Sequence, residues 1–252
     1  MIKKLLRIAL LFFAGLILIL ALAYIFPTVQ APQNLTVAPV PPQRDLDSLF
    51  FAMQMDSLKI KFGNRKILPQ GYELQTLVAL SYFPELKDVR INFRYKKAFI
   101  PLSSRPNLFS MLASKKNWEY RVIVSSESIE SMEPILLKNL PFNAQVGILA
   151  HELAHTIHYQ QYNFWQLLKF GMRYTLDSKF RALHERSTDE KVVYQGLGWQ
   201  LLDYAKFIRT DPTTVQHYEA SKDFLDKNYL KPAEVLEVMS RIPGYKLSTL
   251  AE

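Results

Sequence analysis

Two histidines four residues apart bracket a glutamate in the run His151-Glu152-Leu153-Ala154-His155. On an α-helix, residues four apart lie about one turn apart on the same face, so both imidazoles reach a single metal ion. Neutral imidazole nitrogen at about 2.0 Å suits Zn2+, and three protein ligands leave a fourth position for water. Glu152, about 100° around the helix from His151, is placed to hold that water and take its proton. Two histidines do not complete such a site. His158 shares their face, yet it stands seven residues from His151, about 10 Å along the axis, too far to close one tetrahedral sphere with it. Downstream, Glu185 and Asp189 are four apart and present both carboxylates on one helical face. They serve either the metal site or a solvated face paired with Arg181 or Arg186. Glu190 and Asp177 are the alternative carboxylates, although Glu190 points roughly 140° away from Glu185.

These side chains need two helices to carry them. The first begins after Pro141-Phe142-Asn143, with Asn143 as its expected cap. Its projection places Ala144, Gly147, Ile148, His151, His155 and His158 on one side and Val146, Leu149, Leu153 and Ile157 on the other, an apolar back and a histidine front. Gly147, one turn before His151, is expected to leave room beside the metal. The second helix is capped by Asp177 and Ser178, runs to about Gln195 and ends at Gly196. Alternation over Val89 to Tyr95 and over Trp118 to Ser126 predicts two strands, each with one wet face. Apolar spacing predicts further helices from Asp45, over Tyr72 to Phe83, over Trp199 to Ile208 and over Pro232 to Met239.

The two motifs together resemble the zincin metallopeptidases of the gluzincin type, in which H-E-x-x-H is joined by a glutamate and an aspartate one turn apart on a second helix. The E-x-x-x-D form is loosely similar to membrane-associated M48-type enzymes, with Thr188 where their pattern usually has alanine. The longer metzincin pattern is absent, since its glycine would fall at His158 and its last histidine at Gln161. The resemblance covers about residues 120 to 199. It implies an α+β fold, a single zincin-like domain with a small mixed sheet, an active-site helix and a second ligand-bearing helix. It implies one Zn2+ held by His151, His155 and Glu185, with Glu152 as the catalytic base and Asp189 fixing a ligand histidine's tautomer. It further implies a substrate-binding edge strand at Tyr120, Val122 and Val124. A donor beside the tetrahedral intermediate is also implied, for which His217, Tyr218, Tyr194 and Arg186 are the candidates.

The 252 residues carry 49% hydrophobic and 21% charged side chains, a globular composition sufficient for one substantial core. The absence of cysteine excludes disulfides, thiolate metal sites and cysteine nucleophiles. Lys3, Lys4 and Arg7 supply part of the +8 net charge, and no basic run interleaved with aromatics argues for nucleic acid. Residues 8–26 hold no charge, Asn, Gln or Pro and span roughly 28 Å as a helix, so a transmembrane helix is expected, with residues 1–7 cytoplasmic and the domain outside the cytoplasm. Cleavage near Ala21-Leu22-Ala23, giving a secreted protein, is the competing expectation. Residues 27–44 contain Pro27, Pro32, Pro39, Pro41 and Pro42 and are expected to form a stiff linker, leaving residues 45–252 as the domain. The function expected is a membrane-anchored zinc metallopeptidase acting on a protein or peptide substrate. A non-catalytic envelope binding or assembly protein on the same fold is the alternative, and a structural site would need His184 or His217 as a fourth ligand.

Overall fold

The computed structural model describes residues 40–130 and 132–248, together with Lys4, Arg7, Leu10, Phe13, Ala14 and Gly15 near the amino terminus. In chain order the helices are α1 (Ser48–Met53), α2 (Met55–Phe62), α3 (Glu73–Ser81), α4 (Phe142–Gln160), α5 (Phe164–Leu176), α6 (Ser178–Val192), α7 (Gly198–Thr210), α8 (Val215–Asn228), α9 (Pro232–Ser240) and α10 (Pro243–Ser248). The strands β1 (Lys66–Ile67), β2 (Arg90–Lys96), β3 (Leu102–Pro106) and β4 (Glu119–Ser125) all precede α4. They form one mixed sheet in the order β1-β2-β4-β3, with β1, β2 and β4 parallel and β3 antiparallel to β4.

Helix α4 is the axis of the molecule, and every residue from Ala144 to Tyr159 is buried. Its apolar side joins Leu77 and Leu80 of α3, Val122 and Val124 of β4, and Leu201 and Leu202 of α7 in one core. An amphipathic helix ordinarily leaves its polar face in water, whereas here the histidine face is covered as well. Helix α7 approaches so closely that a Cβ at Gly147 would lie 2.3 Å from the Gln200 carbonyl oxygen and 2.9 Å from the Leu201 nitrogen. Gly147 therefore serves the α4–α7 crossing, and not space beside a metal. Because both obstructing atoms are backbone, Gly147→Ala must push the helices apart, and we expect a loss of about 2–3 kcal/mol in urea unfolding.

Several expectations change at this level. Among the described residues no helix is long and apolar enough to cross a membrane, so the transmembrane element is withdrawn from the architecture, which is α+β. A span needs about 20 predominantly apolar residues, and α4, at 19 the longest helix among the described residues, carries its polar cluster midway. Of residues 8–26 only four are described; the remainder, like residues 27–39 of the expected linker, lies outside the described residues. The end of that linker belongs to the fold: Val40 packs on the main core, and the Gln43 and Arg44 carbonyls accept from Gln200 Nε2. Asn143 does not cap α4; it sits inside the first turn, where its side chain accepts from Leu46 N–H and donates to Asp45 and Asp203. The strands are also wetter in pattern than in fact, since Asn92 and Ser125 are buried along with their apolar neighbours.

The expected substrate strand is not an edge. Tyr120, Val122 and Val124 lie on β4, which is bonded to β2 on one side and β3 on the other. The edges are β1 and, next to β4, β3, and at Ser104 the outward backbone of β3 is already engaged: the carbonyl accepts from Tyr159 Oη at 3.1 Å, and Ser104 donates a backbone hydrogen bond to Glu152. Strand addition at β4 is excluded by these pairings.

Candidate metal centre

Helix α6 starts where the sequence places it, with Asp177 Oδ1 accepting from the Lys179 and Phe180 N–H groups. It ends in a π-helical segment, Val193–Leu197, where Gly196 takes φ +94°, a left-handed conformation that favours glycine. This framing sets Glu185 and Asp189 against α4. His151 Nε2 lies 3.0 Å and His155 Nε2 3.3 Å from Glu185 Oε2. Two ligands at about 2.05 Å on a tetrahedral ion are separated by about 3.3 Å, so both imidazole–carboxylate distances are compatible with a shared metal ion, and all three ligand atoms lie within 4.8 Å of one another. The other glutamate oxygen, Oε1, accepts a short hydrogen bond from Tyr174 Oη, which leaves Oε2 alone to point between the imidazoles.

Asp189 orients the first ligand. Its Oδ1 is 2.8 Å from His151 Nδ1, and its Oδ2 accepts from the Leu230 N–H at 2.8 Å, so the carboxylate is fixed at both ends. Burial alone would lower the His151 pKa, but the hydrogen bonds and charges of Asp189 and Glu185 outweigh it and hold His151 well above the ordinary histidine range. Burial would likewise raise Glu185, yet His155 and His151 outweigh it and hold that carboxyl well below the usual range.

Glu152 is buried next to His151 on α4; Ser104 contacts it from the β3 edge, while Oε2 is buried without a partner. Burial pushes its carboxyl upward. Beside Glu152 and His151 is a cavity of about 60 Å³ walled by Leu102, Met132, Ile148, Ile208, Leu225 and Tyr229. That is room for about two waters. A buried carboxylate whose residue lines a water-sized space is an arrangement that suits a proton-accepting group.

A second histidine group adjoins the first. His155, His158 and His184 also bring ligand atoms within 4.8 Å of one another, and all are buried. The residues could hold a metal in either place. The His151/His155/Glu185 set is the better host, because it supplies a carboxylate against the ion's charge, whereas the second would bury a divalent cation among neutral rings. Burial pushes the His158 pKa down to about 3 and His184 well below the ordinary range, so both are neutral. His155 Nδ1 and His184 Nε2 are 3.0 Å apart, so a His155 whose Nε2 served a metal would donate from Nδ1 to His184. His184 would thus hold the second ligand as Asp189 holds the first. We expect His184→Leu to weaken the affinity for a divalent metal about 10–100-fold, measured by competition with a chromophoric chelator, and His184→Gln, which keeps an acceptor, to weaken it less.

The candidate donors for a tetrahedral intermediate are placed elsewhere. Tyr218 donates to Asp226 at 3.0 Å, Tyr194 packs on the main core, and Arg186 pairs with Glu234 at 2.6 Å. The His217 side chain lies outside the described residues. Tyr229 stands closer to the site: its ring is 5.7 Å from that of His151, it lines the Glu152 cavity, and burial holds its hydroxyl well above the ordinary range and therefore protonated. Tyr174, His184 and Tyr229 carry no motif, and only the packing of α5, α6 and the segment after α8 brings them in. No protein-family model, curated protein or solved structure matches the chain.

Proposed function

We propose that the protein is a zinc-dependent metallopeptidase of the gluzincin type, with His151, His155 and Glu185 as ligands. The observation that carries this reading is the conjunction of three buried ligand atoms within 4.8 Å of one another with Glu152, beside them on α4, lining a water-sized cavity. Zinc bound there would supply Lewis-acid polarisation of a water and of a peptide carbonyl. Glu152 accepts the proton of the attacking water and returns it to the leaving amine. Asp189 and His184 hold the imidazoles so that each Nε2 lone pair faces the ion. Tyr229 offers an O–H toward developing negative charge.

That small cavity also favours a second reading, in which the same residues hold a metal in a non-catalytic assembly protein. The two are separated by measurement on the purified full chain. The peptidase reading expects one zinc per chain and cleavage of a quenched fluorescent peptide library that stops with a chelator and returns with zinc. Stoichiometric zinc without cleavage would leave the assembly reading standing, and substoichiometric metal would remove both.

A further inference from the structure

A second recess lies at the amino-terminal edge of the parallel strands. Because β1, β2 and β4 all start there, the loops entering them converge, and they bring Arg65, Arg90, Lys115 and Lys116 around a cavity of about 470 Å³. These residues are scattered through the sequence and form no basic run. Asp88 is the one carboxylate among the lining residues. Among the described residues none of the four cations is in an ion pair, in contrast to Arg44, Arg121, Arg186 and Arg209, each of which meets a carboxylate.

The recess is held in shape. Arg65 takes a left-handed conformation, φ 58°, and its guanidinium donates to the Asp88 carbonyl at 3.0 Å and the Lys116 carbonyl at 3.2 Å, tying together the two loops that carry the other cations. Trp118, whose indole N–H donates to the Ala113 carbonyl, forms part of the wall, with Lys115 Nζ 5.9 Å from its ring. At the far side stands Gln160, the last residue of α4, whose Nε2 is buried and has no acceptor. A buried N–H without an acceptor is costly, and an anionic oxygen is the partner that such a group and four cations share.

We propose that this recess binds the phosphoryl group of a phosphate-bearing ligand. A dianionic phosphoryl group matches an excess of three positive charges better than a single carboxylate does, and its several oxygens can accept from Gln160 and from more than one cation at once. The volume, within the range of small-molecule sites, exceeds what an inorganic ion fills, so the ligand is a phosphorylated molecule or the headgroup of a phospholipid. The site is separate from the metal centre, and the proposal stands whether or not the chain is a peptidase.

The test uses the full chain in non-ionic detergent, titrated with pyrophosphate in a calorimeter, and a parallel sedimentation assay with phosphatidylcholine vesicles with and without phosphatidic acid. Arg90→Glu and Lys116→Glu alter exposed side chains and are expected to weaken binding tenfold or more, whereas Lys206→Glu, an equal change of net charge on α7, leaves it unaltered. Salt should weaken binding in the parent chain. Pyrophosphate binding with equal sedimentation on both vesicles supports a soluble ligand. Added recruitment by phosphatidic acid that is lost in the two variants supports a headgroup. Absence of binding to either probe, or an equal loss in Lys206→Glu, overturns the proposal.

Discussion

Replacing Glu152 with glutamine is expected to lower peptide hydrolysis by about 10²–10⁴-fold while zinc stays at one per chain. Glutamine matches glutamate in size, and its amide oxygen can still accept the Ser104 N–H that the carboxylate accepts now. The other oxygen, Oε2, has no partner to lose; the amide N–H placed there lacks an acceptor and costs some stability, while the unchanged side-chain shape keeps the packing of α4. Glu152 is also absent from the set His151, His155 and Glu185, and metal retention follows. What disappears is the base, because an amide takes no proton at neutral pH. Zinc content is read by atomic absorption and turnover with the library peptide. Unchanged turnover with full zinc would end the assignment of Glu152 as the base, and loss of zinc together with turnover would show it to be a structural support.

The features legible in the sequence are those fixed by helical spacing. His151 and His155 share a face, Glu185 and Asp189 share another, and Asp177 starts the helix that carries the second pair; each follows from 3.6 residues per turn and capping chemistry alone. Geometry also excluded His158 from the first site, where its distance from His151 along the axis is decisive. The features that escaped depend on which elements become neighbours. Alternation in Trp118 to Ser126 predicts a strand but says nothing about order, and the short β3 that displaces it from the edge has little alternation of its own. Gly147 was legible as a glycine in a helix, but the backbone that crosses it belongs to α7, more than fifty residues away. His184 immediately precedes Glu185, yet its contact with His155 depends on the rotation of α6 against α4. Tyr174 and Tyr229 are common residues in unremarkable surroundings, and only tertiary packing gives them a metal centre to face.

The metal-free protein is expected to be most stable near the ordinary histidine pKa of about 6.5 and to lose stability in both directions. On the acid side His158, at about 3 in the fold, stays neutral while the unfolded chain takes up a proton below about 6.5. The unfolded state then binds more protons, so stability falls as pH falls, by about 1.4 kcal/mol per pH unit for each such group. His184, held neutral by its burial, acts in the same direction. Glu185 adds to it, since a depressed carboxyl contributes stability above its unfolded pKa that is lost as pH drops through the folded one. On the alkaline side the sign comes from His151. Its pKa is raised in the fold, so its contribution is complete below about 6.5 and is lost as pH rises through the folded value, while the unfolded imidazole has already released its proton. Zinc must compete with that proton for Nε2, because only the neutral ring ligates. Urea unfolding across about pH 4 to 9 should therefore give a maximum in chelator and a curve without the alkaline decline in zinc. His158→Gln should flatten the acid limb alone. Chelator and zinc curves of one shape would show that His151 exchanges no proton for metal, and with it the ligand set proposed here would fail.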